Sequence, residues 1–152
     1  MPLTTRTLHS TLRGFTLIEL MLVVVIIGIL AMFAYPAYTR WVVETRRSDA
    51  HIALSQLANE LEKFYSECGV YTANIAASPR SCDLGGALAR SNLSPREYYD
   101  LSVALTGGGT GYTITATPRE AQAADTDCTS LTLSNTGATG ATGANAARCW
   151  KK

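Results

Sequence analysis

Two histidines, His9 and His51, are all that 152 residues provide, and no serine or cysteine stands in a pattern that would make either one a catalytic base. HExxH, a phosphate-binding loop and a dinucleotide fingerprint are missing, and the glycines of Thr106–Gly111 have no lysine after them to meet a phosphate. Asp83, Asp100, Asp125 and Asp127 lack the spacing of a calcium loop. The cysteines form no CxxC and have no histidine nearby, which removes the usual zinc arrangements. These absences argue against an enzyme and predict no cofactor and no metal. Charge is scarce too. Charged residues make up 16% of the chain and the formal net charge is +1, a balance too even for wholesale attraction to nucleic acid.

One absence is local. From Leu20 to Thr39 no residue is charged, which matches the roughly 20 residues a membrane-spanning helix needs. Ten residues between Leu20 and Tyr35 are Leu, Ile, Val or Phe, each worth about −0.3 to −0.6 kcal/mol at a helix centre. Together they outweigh one carboxylate, Glu19, at a cost of roughly 2.5–3.5 kcal/mol for an ionisable side chain at mid-membrane. The segment therefore inserts. A secretory signal would have an apolar region of about 7–15 residues followed by small residues. Here the run is longer, and Phe33, Tyr35 and Pro36 stand where small residues would be expected.

Arg13-Gly14-Phe15-Thr16-Leu17-Ile18-Glu19, with the apolar run behind it, resembles the processing site of type IV prepilins and related pseudopilins. The resemblance implies cleavage after Gly14 by a prepilin peptidase and N-methylation of the new terminus at Phe15. The leader would be residues 1–14, leaving a mature chain of 152 − 14 = 138 residues. Glu19 then falls fifth, where the family carries its assembly glutamate. Gly28 and Pro36 stand where members carry a helix-loosening glycine and a proline. Implied partners are other pilins and minor pilins, the peptidase and the inner-membrane pilus assembly machinery. The implied location is the inner membrane, as a single pass with the N-terminus cytoplasmic, and the extracellular pilus after assembly.

There is a physical reason for Glu19. Cleavage before Phe15 creates an ammonium group, and a neighbouring subunit's Glu19 can neutralise it inside an apolar bundle, where an unpaired charge of either sign is expensive. By spacing alone, Glu19 could equally mark the membrane edge or pair with its own terminus four residues earlier.

Removing the leader also removes Arg6 and Arg13, which takes the side-chain charge from +1 to −1. Arg40, Arg46 and Arg47 follow the span, so counting positive charges does not orient it. Cys68, Cys82, Cys128 and Cys149 all lie beyond it, an even number in a small domain, which favours an oxidising compartment for residues 40–152. Three connectivities are open. The pairs Cys68–Cys82 and Cys128–Cys149 are preferred because each closes a local loop, contributing about 3 kcal/mol in the chain-entropy model. A metal site and free thiols are the alternatives.

The domains expected are a leader over 1–14, a transmembrane and filament-core helix over 15–39, and an α+β head over 40–152 that includes the helix's second half. Past Pro36, where a bend is expected, Ala50, Leu54, Leu57, Leu61 and Phe64 step by four and three, with Arg46, Arg47, Asp49, Glu60, Glu62 and Lys63 between them. This amphipathic half should end near Ser66–Gly69. His51 reads as a surface or boundary residue. Residues 70–97 read as a loop-rich connection, with a short helical turn over Leu84–Arg90. Alternation then predicts strands at Tyr99–Leu105, Tyr112–Ala116 and Ser130–Ser134, the first two joined by a glycine-rich hairpin. The repeated Gly-Ala-Thr of Thr136–Ala144 reads as a small-residue loop. The result is a long N-terminal helix, membrane-spanning then amphipathic, on a small antiparallel sheet of three or four strands. The prepilin resemblance implies the type IV pilin fold.

Ala116-Thr117-Pro118, Asp127-Cys128, Leu131-Thr132-Leu133, Gly137 and Cys149-Trp150 resemble the C-terminal region of PilE-type minor pilins. This implies a core minor pilin that helps initiate the fibre, supporting twitching motility, adhesion or DNA uptake, with Cys128–Cys149 bounding a partner-contacting loop. DNA-uptake receptors belong to the same subfamily, so Arg148, Trp150, Lys151 and Lys152 are candidate DNA contacts, an indole on which a base can stack among cations. Three charges are a thin footprint. A solvated tail, with Trp150 packed over the disulfide or in a subunit contact, is the plainer expectation. Other assignments are a major pilin, a type II secretion pseudopilin with Asp125 and Asp127 as calcium ligands, and a membrane-tethered domain that never polymerises.

Overall fold

The structure is a computed structural model and describes residues 14–76, 79–82 and 86–151. The leader before Gly14 and Lys152 lie outside the described residues. The chain divides into two compact units at the Thr39–Arg40 bond.

Helix α1 runs over Leu17–Cys68. In the first unit its most apolar 18-residue window has a mean hydropathy of 2.9 and none of it is buried. Isolated in water such a surface would be unstable, so it asks for lipid or for other apolar helices. The helical assignment continues without a break through Pro36, the residue at which the sequence predicts a bend. There the Thr39 hydroxyl donates to the Pro36 carbonyl at 3.0 Å.

In the second unit α1 becomes one-sided. Ala50, Ala53, Leu54, Leu57, Leu61 and Phe64 are fully buried, each large member contributing about 1.5–3 kcal/mol by leaving water. The helix stops where Gly69 takes the left-handed conformation (φ 73°) and its N–H reaches the Tyr65 carbonyl at 2.8 Å.

The buried stripe is covered by four antiparallel strands in sequential order, β1 (Tyr99–Thr106), β2 (Gly111–Pro118), β3 (Ser130–Ser134) and β4 (Thr139–Thr142). Register places Leu101, Ala116, Leu131 and Ala141 in one cross-strand row and Val103, Ile114 and Leu133 in the next. Apart from Thr139, which pairs with Leu133, the strands' serines and threonines alternate onto the opposite face. The hairpin between β1 and β2 turns on Gly107, Gly108 and Gly109, whose φ values of 57°, 68° and 95° exclude most side chains.

Three expectations need correction. The Thr136–Ala144 stretch is not all loop, because β4 forms inside it. At Gly140 a Cβ would meet the Thr132 hydroxyl at 2.6 Å, so the small residues are what let this edge strand approach β3. The helical turn over Leu84–Arg90 does not form in its described part. Ala87 instead makes an antiparallel bridge to Ser81, and Ala89 has a positive φ of 54°, incompatible with a helix. Arg47 and Asp49 are buried on α1, not solvated. Counting back from Ala50 by three puts Arg47 on the apolar stripe itself.

Candidate functional site

At the start of α1, Gly14 and Phe15 are exposed and Thr16 caps the helix. Its hydroxyl accepts the Glu19 amide N–H and its carbonyl the Leu20 N–H, both at 3.2 Å. Thr16-Leu17-Ile18-Glu19 has the spacing of a capping box, and a carboxylate in the first turn complements the helix dipole. Glu19 is exposed, and among the described residues it makes no ion pair. Gly28 lies in open space on the helix.

The head's polar chemistry gathers where α1 meets the segments that carry Cys128 and Cys149. Cys128 pairs with Cys149, and Cys68 with Cys82. A 3₁₀ turn over Glu120–Ala124 delivers Gln122 and Asp125 to α1. The Arg47 guanidinium donates to both Asp125 oxygens at 2.7 Å, from Nε and from Nη2. Asp125 also accepts the Cys128 N–H at 3.1 Å. One buried carboxylate thus ties the backbone at Cys128, two residues before β3, to the helix. The hydrogen bond to Asp125 raises the Arg47 pKa against the opposing effect of burial. Gln122 donates to the Val43 carbonyl at 3.1 Å and to the Tyr99 hydroxyl at 3.0 Å. Burial pushes Tyr99 up to about 12, with the Gln122 hydrogen bond working the other way. Asp125 is therefore committed to an ion pair, which leaves little of it for calcium.

A 3₁₀ turn over Ala146–Arg148 leads into Cys149 and Trp150. The Trp150 indole stacks on His51 (centroids 4.6 Å, planes 13° apart) and donates its N–H to the Gly140 carbonyl at 2.7 Å. His51 Nε2 lies 3.0 Å from the Cys149 carbonyl. A carbonyl can only accept, so Nε2 carries the proton. One face and the N–H of Trp150 are engaged, which restricts base stacking there. Arg148 and Lys151 are exposed and line an open groove of about 590 Å³ with Glu44, Ser48 and His51. Lys152 lies outside the described residues. Sequence reasoning missed Gln122, the Arg47–Asp125 pair and the His51–Trp150 stack. A charged residue in phase with an apolar stripe was the available signal for Arg47.

Two family models match the chain. Residues 12–35 match the prokaryotic N-terminal methylation motif, and residues 36–132 match the family described as type IV minor pilin ComP, DNA uptake sequence receptor. Among curated proteins, the fimbrial protein EcpC of Eikenella corrodens is 36% identical over 110 residues, covering 72% of this chain and 65% of the relative. The type IV major alpha-pilin of Moraxella bovis is 36% identical over 110 residues, covering 69% and 67%. A solved type IV pilin from Shewanella oneidensis aligns over 72% of this chain and 99% of its own, with a TM-score of 0.47 and 28% identity.

Proposed function

Because the chain belongs to the type IV pilin family, we propose that it is a minor structural subunit of a type IV pilus, stored in the inner membrane and built into the fibre through α1. The observation that carries this reading is the Gly14–Glu19 junction at the head of an uncovered apolar helix, within the residues that match the methylation motif. Prepilin peptidase removes residues 1–14, Phe15 is methylated, residues 15–39 span the bilayer and then the filament core, and residues 40–152 form the periplasmic and later extracellular head. The Glu19 carboxylate neutralises the Phe15 ammonium of an adjoining pilin. Gly28 and Pro36 loosen the helix between those two states. The role is structural, with other pilins and the assembly machinery as partners and no reaction catalysed. The test is intact mass and N-terminal sequencing of protein from sheared pili. The expected result is a chain starting at a methylated Phe15 with all four cysteines oxidised. An intact leader in fibre protein would overturn the reading.

The match of residues 36–132 to a DNA uptake receptor family supports a second reading, in which the head meets DNA. Arg148 and Lys151, exposed on one groove, supply phosphate contacts. Replacing both with alanine should weaken duplex binding in a mobility-shift assay by about tenfold and lower the salt slope by about two. Unchanged binding would exclude this groove as the contact.

A further inference from the structure

The two disulfides sit in opposite surroundings. Cys128 is fully buried and Cys149 is 1% exposed, both within the head's apolar core. Cys82 is exposed and Cys68 half-buried. Both of the latter line an apolar groove of about 530 Å³ with Phe64, Val70, Tyr71 and Leu105. Val70 and Leu105 are 51% and 41% exposed, large apolar side chains left in water beside the sulfurs.

We propose that this groove is a thiol–disulfide exchange site, and that its partner is a protein dithiol that lays an apolar surface on Val70 and Leu105 while its thiolate attacks Cys68–Cys82. Exchange requires a thiolate to reach a sulfur in line with the S–S bond, so access separates labile from structural bridges. The thiolate attacks Sγ of Cys82, the exposed partner. The S–S bond breaks, Cys68 leaves as thiolate and takes a proton from water, and a mixed disulfide joins the partner to Cys82. The partner's second thiol then attacks its own sulfur in that bond and releases Cys82 as thiolate. Two electrons pass from dithiol to disulfide, leaving two cysteines here and one disulfide in the partner. Run backward, the same steps close the bridge.

Reduction need not unfold the segment. The Thr72 hydroxyl donates to the Gly86 carbonyl at 2.6 Å, the Leu88 N–H to Asn74 at 3.0 Å and the Arg90 N–H to Ile75 at 2.9 Å. These bonds are independent of the bridge, so the pair can open and close on a folded head while the buried bridge keeps the C-terminal strands in place.

The test uses the full chain in detergent, graded exposure to dithiothreitol or to reduced thioredoxin, differential alkylation and mass spectrometry of each cysteine peptide. Cys68 and Cys82 should be trapped as thiols at least about tenfold faster than Cys128 and Cys149 with either reductant. Val70→Asp should slow reduction by thioredoxin about tenfold and leave the dithiothreitol rate unchanged, because only the protein dithiol uses the groove. Simultaneous reduction of both bridges, or earlier reduction of Cys128–Cys149, would overturn the exchange site. An unaltered thioredoxin rate in Val70→Asp would overturn the apolar docking.

Discussion

Arg47→Met should lower the stability of the head by about 3–5 kcal/mol, which corresponds to a fall in Tm of roughly 10–20 °C in thermal unfolding of the full chain in detergent. The substitution keeps most of the apolar stem and removes the guanidinium, so the cost falls on Asp125. Its side chain is 1% exposed, and it would keep a full charge with only the Cys128 N–H and a long 3.4 Å contact from Gln122 as donors. A charge stranded in that setting costs more than the pair ever gained. Adding Asp125→Asn to Arg47→Met removes the charge and leaves an oxygen for the Cys128 N–H, so it should recover about 2 kcal/mol. Arg47→Lys should fall between, since an ammonium keeps the charge and loses the two-pronged geometry. If the two substitutions simply add, the pair is not the coupling that ties the Cys128 segment to α1.

What could be read from sequence was what repeats with a period. The four-and-three stripe from Ala50 to Phe64 and the alternation of Tyr99–Leu105 and Tyr112–Ala116 each impose one face on a segment. Each of those faces is where the structure has it. β4 was not legible because Thr139-Gly140-Ala141-Thr142 has no large apolar residue to mark a face. It is defined by pairing with β3 across a glycine that leaves room for Thr132. Gln122 and Asp125 were illegible for another reason. They sit on a short 3₁₀ turn without periodicity, and their meaning depends on Arg47, 78 residues earlier than Asp125. His51 and Trp150 likewise meet across 98 or more residues, which no local pattern encodes. The N-terminal methylation motif was legible because its residues are contiguous, with Gly14, Phe15 and Glu19 all inside the matched residues 12–35.

Glu19→Gln should leave this subunit in the membrane with its leader removed, and cut its share of sheared fibres about a hundredfold. The size follows from charge. An ammonium held unpaired in an apolar bundle costs on the order of 3 kcal/mol, and about 1.4 kcal/mol corresponds to each factor of ten. Glutamine is nearly the same size, and the Thr16 hydroxyl caps a backbone N–H, so the start of α1 keeps its 3.2 Å hydrogen bond whichever side chain follows. A loss of assembly in this variant therefore reports the missing charge and not a frayed helix. Glu19→Asp should recover part of the incorporation, because it restores the charge on a shorter arm. The measurement is the ratio of subunit in sheared fibres to subunit in the membrane fraction, by quantitative immunoblot, with leader cleavage checked by mass. If Glu19 served only its own chain's terminus, the variant would lose stability in the membrane fraction while the ratio stayed constant. Normal incorporation alongside other pilins would end the electrostatic account of assembly.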